Sequence, residues 1–218
     1  MKTNLLKEHK LALIISSIVL LLPILLGLLL WEQLPDTIAT HFNSEGVADG
    51  YSSKTFAILG LPCILLLVHW VCIFITSVDP KKQNIAGKPF ALILWIAPLV
   101  SILGSFAIYK EALNIAPNLN SSTIATLFLG FLFIVIGNYL PKCRQNYTIG
   151  IKIPWALHDE DNWNHTHRFA GIVWIIGGII LIVTALFHQL AISLIILIII
   201  AILPMIYSYL YYRKHTTR

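Results

Sequence analysis

Between Gly150 and Gly171 the chain sets His158, Asp159, Glu160, Asp161, His165, His167 and Arg168 close together, with Lys152, Trp155 and Trp163 among them. Carboxylates beside a histidine suggest acid–base catalysis. Three histidines suggest a metal site, and cations beside tryptophans suggest a grip on phosphate. Spacing tests each reading. His165 and His167 are two apart, so on a helix they point to different faces and do not share an ion. No Cys or carboxylate stands at a zinc spacing. Asp159-Glu160-Asp161 reads as the first turn of a helix, where carboxylates favour the positive end of the macrodipole, and no nucleophile is placed beside them. The expectation is no catalytic residue, no metal and no cofactor. Lys152 and Arg168 with Trp155 and Trp163 suit lipid phosphates or a cytoplasmic protein partner, and equally plain anchoring at a membrane surface. Trp163 and His167 are four apart, hence on one helix face with Thr166 beside them. His167 is expected to bond another loop, at Asn146 or Asn138. Trp155, Trp163 and Trp174 are spaced as interfacial aromatics.

A second polar stretch, Glu32–Thr55, carries His41, Asn43, Gly46, Asp49, Gly50 and Lys54. Asn43-Ser44-Glu45-Gly46 and Asp49-Gly50 are turn signals, and Ile38–Phe42 between Pro35 and the first turn reads as extended. A compact hairpin-like cap is expected. Its acidic balance suits a cationic peptide, although the same residues would be needed simply to build turns.

Both stretches are exceptions in an apolar chain. Apolar types make up 57% of 218 residues and charged types 11%. A bilayer core about 30 Å thick needs about 20 apolar residues per helix. Six windows meet that: Leu11–Trp31, Phe56–Ser77, Phe90–Tyr109, Thr123–Leu140, Phe169–Phe187 and Leu190–Leu210, all free of Asp, Glu, Lys and Arg. Helices apolar all round leave a water-soluble fold no surface to show. The expected architecture is therefore an all-α integral membrane protein, a bundle of six transmembrane helices. The first window is longer than a leader's apolar region and no small-x-small site follows it, so it reads as a retained span. The last two windows meet at His188-Gln189, which predicts an antiparallel hairpin.

Placing both termini in the cytoplasm puts all but Lys54 and Lys110 of the 15 Lys and Arg inside, the orientation that short-loop charge favours. The net charge of +5 then needs no nucleic acid to explain it. Glu32–Thr55 becomes an outer cap loop, and Pro141–Arg168 a cytoplasmic loop and helix lying against the membrane surface. Cys63 and Cys72 share one helix, so no disulfide framework is expected. His69 is the one ionisable residue within a span, and is read as a buried neutral histidine.

These loops carry a resemblance. LPDTIATHFNSEGVADGYSSKTF resembles the short N-terminal membrane domain that accompanies SdpI-type proteins. GNYLPKCRQNYTIGIKIPWALHDEDNWNHTHRFAG is similar to the core signature of the SdpI family, through Gly137-Asn138-Tyr139-Leu140-Pro141-Lys142, Asn146, Gly150-Ile151, Pro154-Trp155, Trp163 and Thr166-His167-Arg168. The family usually has Arg where Lys152 stands and Thr where Ile153 stands; Lys keeps the charge but loses the planar fork. The resemblance implies an N-terminal membrane domain over 1–89, with two helices and the loop 32–55, and an SdpI-like domain over 90–218, with four helices and the loop 141–168. It also implies a non-enzymatic immunity or sensor protein of the bacterial cell membrane. Its partners would be a membrane-active peptide toxin at the outer face, a cytoplasmic regulator such as a transcriptional repressor, and membrane lipids. The alternative is a small transporter or lipid-handling protein, for which His69 and the mid-helix prolines Pro23, Pro98 and Pro204 are the support.

Overall fold

The computed structural model describes residues 5–43, 47–85, 87–116 and 119–216. Six helices in it are long and apolar enough to cross a membrane, and the chain is a multi-pass, all-α membrane protein. Leu11, Leu29 and Phe187 are 71%, 81% and 71% exposed. Such side chains left in water would forfeit about 25 cal/mol for each Å² of apolar surface, so lipid is their solvent. Two compact units divide the chain: Met1–Ser77 with Phe90–Ala125, and Val78–Pro89 with Thr126–Arg218.

The first unit contains α1 (Leu5–Glu8), α2 (Lys10–Leu29), the strands β1 (Thr37–Phe42) and β2 (Ala48–Ser53), α3 (Leu61–Val78) and most of α4 (Lys88–Ala112). A π-helical turn, Phe56–Gly60, leads into α3. In a regular helix the ring of Pro62 would collide with the carbonyl four residues back, and the wider turn lies just ahead of it. Ser101 Oγ donates to Leu20 O at 2.7 Å and Tyr109 Oη to Pro23 O at 3.0 Å, tying α4 to α2. Buried Ser16 and Ser101 find partners close by, as a span favours, whereas His69 Nδ1 and Ser121 Oγ have none among the described residues. Ser16 Oγ donates to Leu13 O and accepts from His69 Nε2 at 3.2 Å. His69 is thus buried, as expected.

The second unit is built on α7 (Glu160–Leu186) and α8 (Leu190–Thr216), with the short α6 (Pro154–His158) before them and most of α5 (Ser121–Tyr139) alongside. The expected hairpin is present. Thr184–Ser193 hydroxyls meet at 2.8 Å, Trp174 Nε1 donates to Ile200 O at 3.0 Å, and Asn162 Nδ2 donates to Ser208 O at 3.1 Å, a ladder only antiparallel helices give. α5 and α7 touch backbone to backbone. A Cβ on Gly130 would lie 2.8 Å from Gly178 O, and one on Gly171 would lie 2.7 Å from Gly137 O. Small residues at a crossing allow this approach, which dispersion then stabilises.

Candidate functional sites: a hairpin cap and a polar collar

The hairpin cap covers one end of the first unit. β1 and β2 pair antiparallel, with register shifts on either side of His41. Ile38 is buried against Leu34, Ala57, Ile58 and Tyr109, which seats the hairpin. His41 Nδ1–H donates to Asp49 Oδ1 at 2.6 Å, both side chains exposed. Thr40 and Ser52 hydroxyls meet at 2.9 Å. Asn43 Oδ1 accepts from Val47 N–H at 2.9 Å, closing the turn. Gly46 lies outside the described residues. Gly50 faces His41 so closely that a Cβ would come within 2.8 Å of the His41 Cβ. Lys54 turns inward: Nζ donates to Trp31 O at 3.1 Å, sits 5.2 Å above the Trp31 ring and lies 3.4 Å from Asp36. Of the six residues named for this loop, His41 and Asp49 form an exposed pair, Asn43 and Gly50 shape the chain, and Lys54 anchors it. An apolar cleft of about 520 Å³ between α2 and α4, lined by Leu22, Leu26, Ile102 and Phe106, ends near Lys110.

The collar belongs to the second unit, and its local signals are clear. Asp159 caps α7, its Oδ1 accepting from Asp161 N–H at 2.9 Å, which satisfies one of the unpaired donors at a helix start. Pro154 opens α6 at a position where a missing N–H costs nothing. Trp155 packs from α6 onto Tyr209 and Tyr212 of α8, with ring centroids 5.4 and 6.3 Å apart.

The centre of the collar is a stack of Trp163 on His167, centroids 4.0 Å apart. Trp163 is 0% exposed and donates its indole N–H to Cys143 O at 2.8 Å. It is therefore not the interfacial aromatic its spacing suggests; its polar end is needed inside. His167 has a single consistent protonation. Nδ1 faces Trp163 O at 2.8 Å and Nε2 faces Ile151 N–H at 3.0 Å. A carbonyl only accepts and an amide N–H only donates, so Nδ1 carries the proton and Nε2 the lone pair. The loop partner of His167 is thus the Ile151 backbone, not Asn146 or Asn138. Gly150, at φ 113°, lies against this pair: a Cβ there would strike His167 Nε2 and come within 3.1 Å of the Trp163 ring.

Asn146 shapes the same loop from within. Its Oδ1 accepts from Thr148 and Ile149 N–H at 2.8 and 2.6 Å, and its Nδ2 donates to Arg144 O at 2.9 Å. Thr166 donates to Asn162 Oδ1 at 2.9 Å, and Ser208 donates to the same oxygen at 2.5 Å, so α7 and α8 share a satisfied buried network. Pro141 packs on Gly171. Asn138, Lys152 and Arg168 are exposed. Burial pushes the Cys143 thiol pKa up, which keeps it protonated and unreactive.

Several anchors lie in Val78–Pro89, where the sequence singles out no site residue. Asp79 is 4% exposed and accepts three bonds: from Lys81 N–H at 2.7 Å, Tyr147 N–H at 2.9 Å and Thr148 Oγ1 at 2.6 Å. Gln145 accepts from Lys81 Nζ and donates to Ala156 O and Leu157 O at 3.2 and 3.0 Å, while Asn84 Nδ2 holds Gln145 O at 2.7 Å. One signal was available. A carboxylate just past the C-terminal end of α3 opposes the helix dipole, so Asp79 needs donors from elsewhere.

Residues 142–208 match the SdpI/YfhL protein family, and residues 18–66 match a domain of unknown function (DUF1648). The chain is similar to Immunity protein SdpI of Bacillus subtilis (strain 168), 26% identical over 209 residues, spanning 92% of this chain and 96% of that one. No solved structure matches. The first match contains the Trp163–His167 stack, Gly150 and the Asn162–Ser208 network; the second contains the whole hairpin cap. The resemblance read from the loop motifs therefore holds, with the SdpI/YfhL match lying behind the DUF1648 match along the chain.

Proposed function

We propose that this chain is a non-enzymatic membrane immunity protein that meets a membrane-active peptide toxin at its cap and answers through its collar. The cap follows the first span and the collar the fourth, so counting crossings sets them on opposite sides of the bilayer. Loop charge puts the cap outside, with both termini and the collar in the cytoplasm. The observation that carries the reading is the pairing of two ordered polar modules with similarity to an immunity protein along nearly the whole chain. On the cytoplasmic side, exposed Lys152 and Arg168 offer charge to lipid headgroups or to a regulator held at the membrane.

The test is survival. A deletion strain challenged with a broad panel of membrane-active peptides is expected to die faster than its parent with at least one of them, and the gene in trans to restore the parent's curve. Identical killing curves across the panel would refute the proposal. Cysteines placed at Asn43 and His165 and labelled with an impermeant reagent are expected to react from opposite sides.

A further inference from the structure

Among the described residues the cap is a sheet of two strands, so each strand has one side without a neighbouring strand. Alternation of bonded and non-bonded pairs decides which peptide groups are left over. Lys54 N–H bonds Asp36 O, which makes Ile38↔Ser52 the next bonded pair and leaves Thr37↔Ser53 and Ala39↔Tyr51 between. The peptide groups of Thr37 and Ala39 therefore point off one edge, and the Tyr51 N–H and C=O and the Ser53 N–H off the other.

The two edges are not equivalent. On β1, Ala39 is 7% exposed and Ile38 is in the buried cluster. On β2, Tyr51 is 65% exposed, Asp49 and Ser53 are exposed, and no backbone bond from another segment reaches Tyr51 among the described residues. Open edges are ordinarily blunted by Lys, Pro or a bulge. Gly50–Ser53 has neither Lys nor Pro; of the two register shifts, one skips Asp49 just before it and the other places its extra residue, Thr40, on β1 rather than on this edge. Charge selects the visitor. Glu32, Asp36 and Asp49 are exposed, whereas the cations Lys54 and Lys110 turn to the carbonyls of Trp31 and Leu119, with side chains 13% and 3% exposed.

We infer that the Gly50–Ser53 edge of the cap receives a cationic peptide in extended conformation, which adds to the sheet as a third strand. Main-chain bonds supply the grip and tolerate sequence, while the carboxylates favour positive partners. The inference rests on the immunity reading and names how that reading's peptide is held.

The test uses the full chain in nanodiscs and a fluorescent octapeptide alternating lysine and valine, compared with the same peptide N-methylated at alternate amides. The unmethylated probe is expected to bind, and the methylated probe to bind about tenfold more weakly or worse. Tyr51→Pro removes an outward N–H without touching a ladder bond and is expected to weaken the unmethylated probe to the same degree. Because the methylated probe acts on the unaltered protein, the comparison stands even if Tyr51→Pro does not fold. Equal binding of both probes, or binding of neither, overturns strand addition. So does a Tyr51→Cys chain that crosslinks to a second copy without probe, which would assign the edge to self-pairing. In cells, full protection by Tyr51→Pro in a sensitised deletion strain overturns strand addition and leaves the immunity reading standing. A deletion strain no more sensitive than its parent overturns that reading itself.

Discussion

In the cap, order comes from a backbone ladder and a seat of apolar side chains; its most visible polar contact, His41 to Asp49, lies in solvent. In the collar, no ladder exists, and order comes from buried side chains holding peptide groups: Asp79, Gln145, Asn146, Trp163 and His167. A strand can lose one side chain and keep its pairing. An irregular loop is less forgiving, because buried side chains hold its peptide groups, and an unmet buried donor costs about 1–3 kcal/mol. The cap should therefore tolerate change at its surface, and the collar should not tolerate change at its anchors.

The largest effect is expected at Gly150. An alanine there meets a positive φ, at about 1–3 kcal/mol, and a collision with His167. Gly150→Ala should lower stability by about 3 kcal/mol in total, read as a fall in the thermal midpoint of the detergent-solubilised protein. A midpoint within error of the parent would mean the loop does not sit on the stack. Next comes Asp79. Asp79→Ala leaves the Tyr147 N–H, the Thr148 hydroxyl and the Lys81 N–H without their acceptor, and should cost about 2–3 kcal/mol. Asp79→Asn keeps an acceptor oxygen but aims a donor at donors, and should recover only part. Faster proteolysis between Arg144 and Lys152 is the local readout, since the loop is what comes loose. The smallest effect is expected at His41. The exposed pair with Asp49 is of a kind worth about 0–1 kcal/mol, so His41→Ala should leave the midpoint nearly unchanged. If it destabilised as much as Asp79→Ala, the contrast between the two modules would be wrong.

Much of this was legible in the sequence, and the limit has a physical form. Spans are announced by composition, the α7–α8 hairpin by the near absence of a loop, the start of α7 by Asp159, and the cap by its turn residues. All are local. Trp163 and His167 were placed on one face by spacing alone, and they stack. What spacing cannot give is the segment that closes over that face. His167 meets Ile151 because Gly150 lets the chain turn back on the ring, and Trp163 is buried for the same reason. Asp79 is farther from view, bonding residues 68 and 69 positions away from a turn whose lysines dominate its composition. It also lies outside both family-matched stretches.

The glycine contacts between α5 and α7 carry one more implication. Gly130 meets Gly178 and Gly137 meets Gly171, and each is flanked by a large neighbour, Ile182 and Ile175. A slide of a single residue, about 1.5 Å, would drive a branched side chain into the facing main chain and force the two rods apart. α7 is thus a fixed post rather than a piston. Any rearrangement at its collar end therefore has the loop or α8 to move, but not a stroke of α7 against α5.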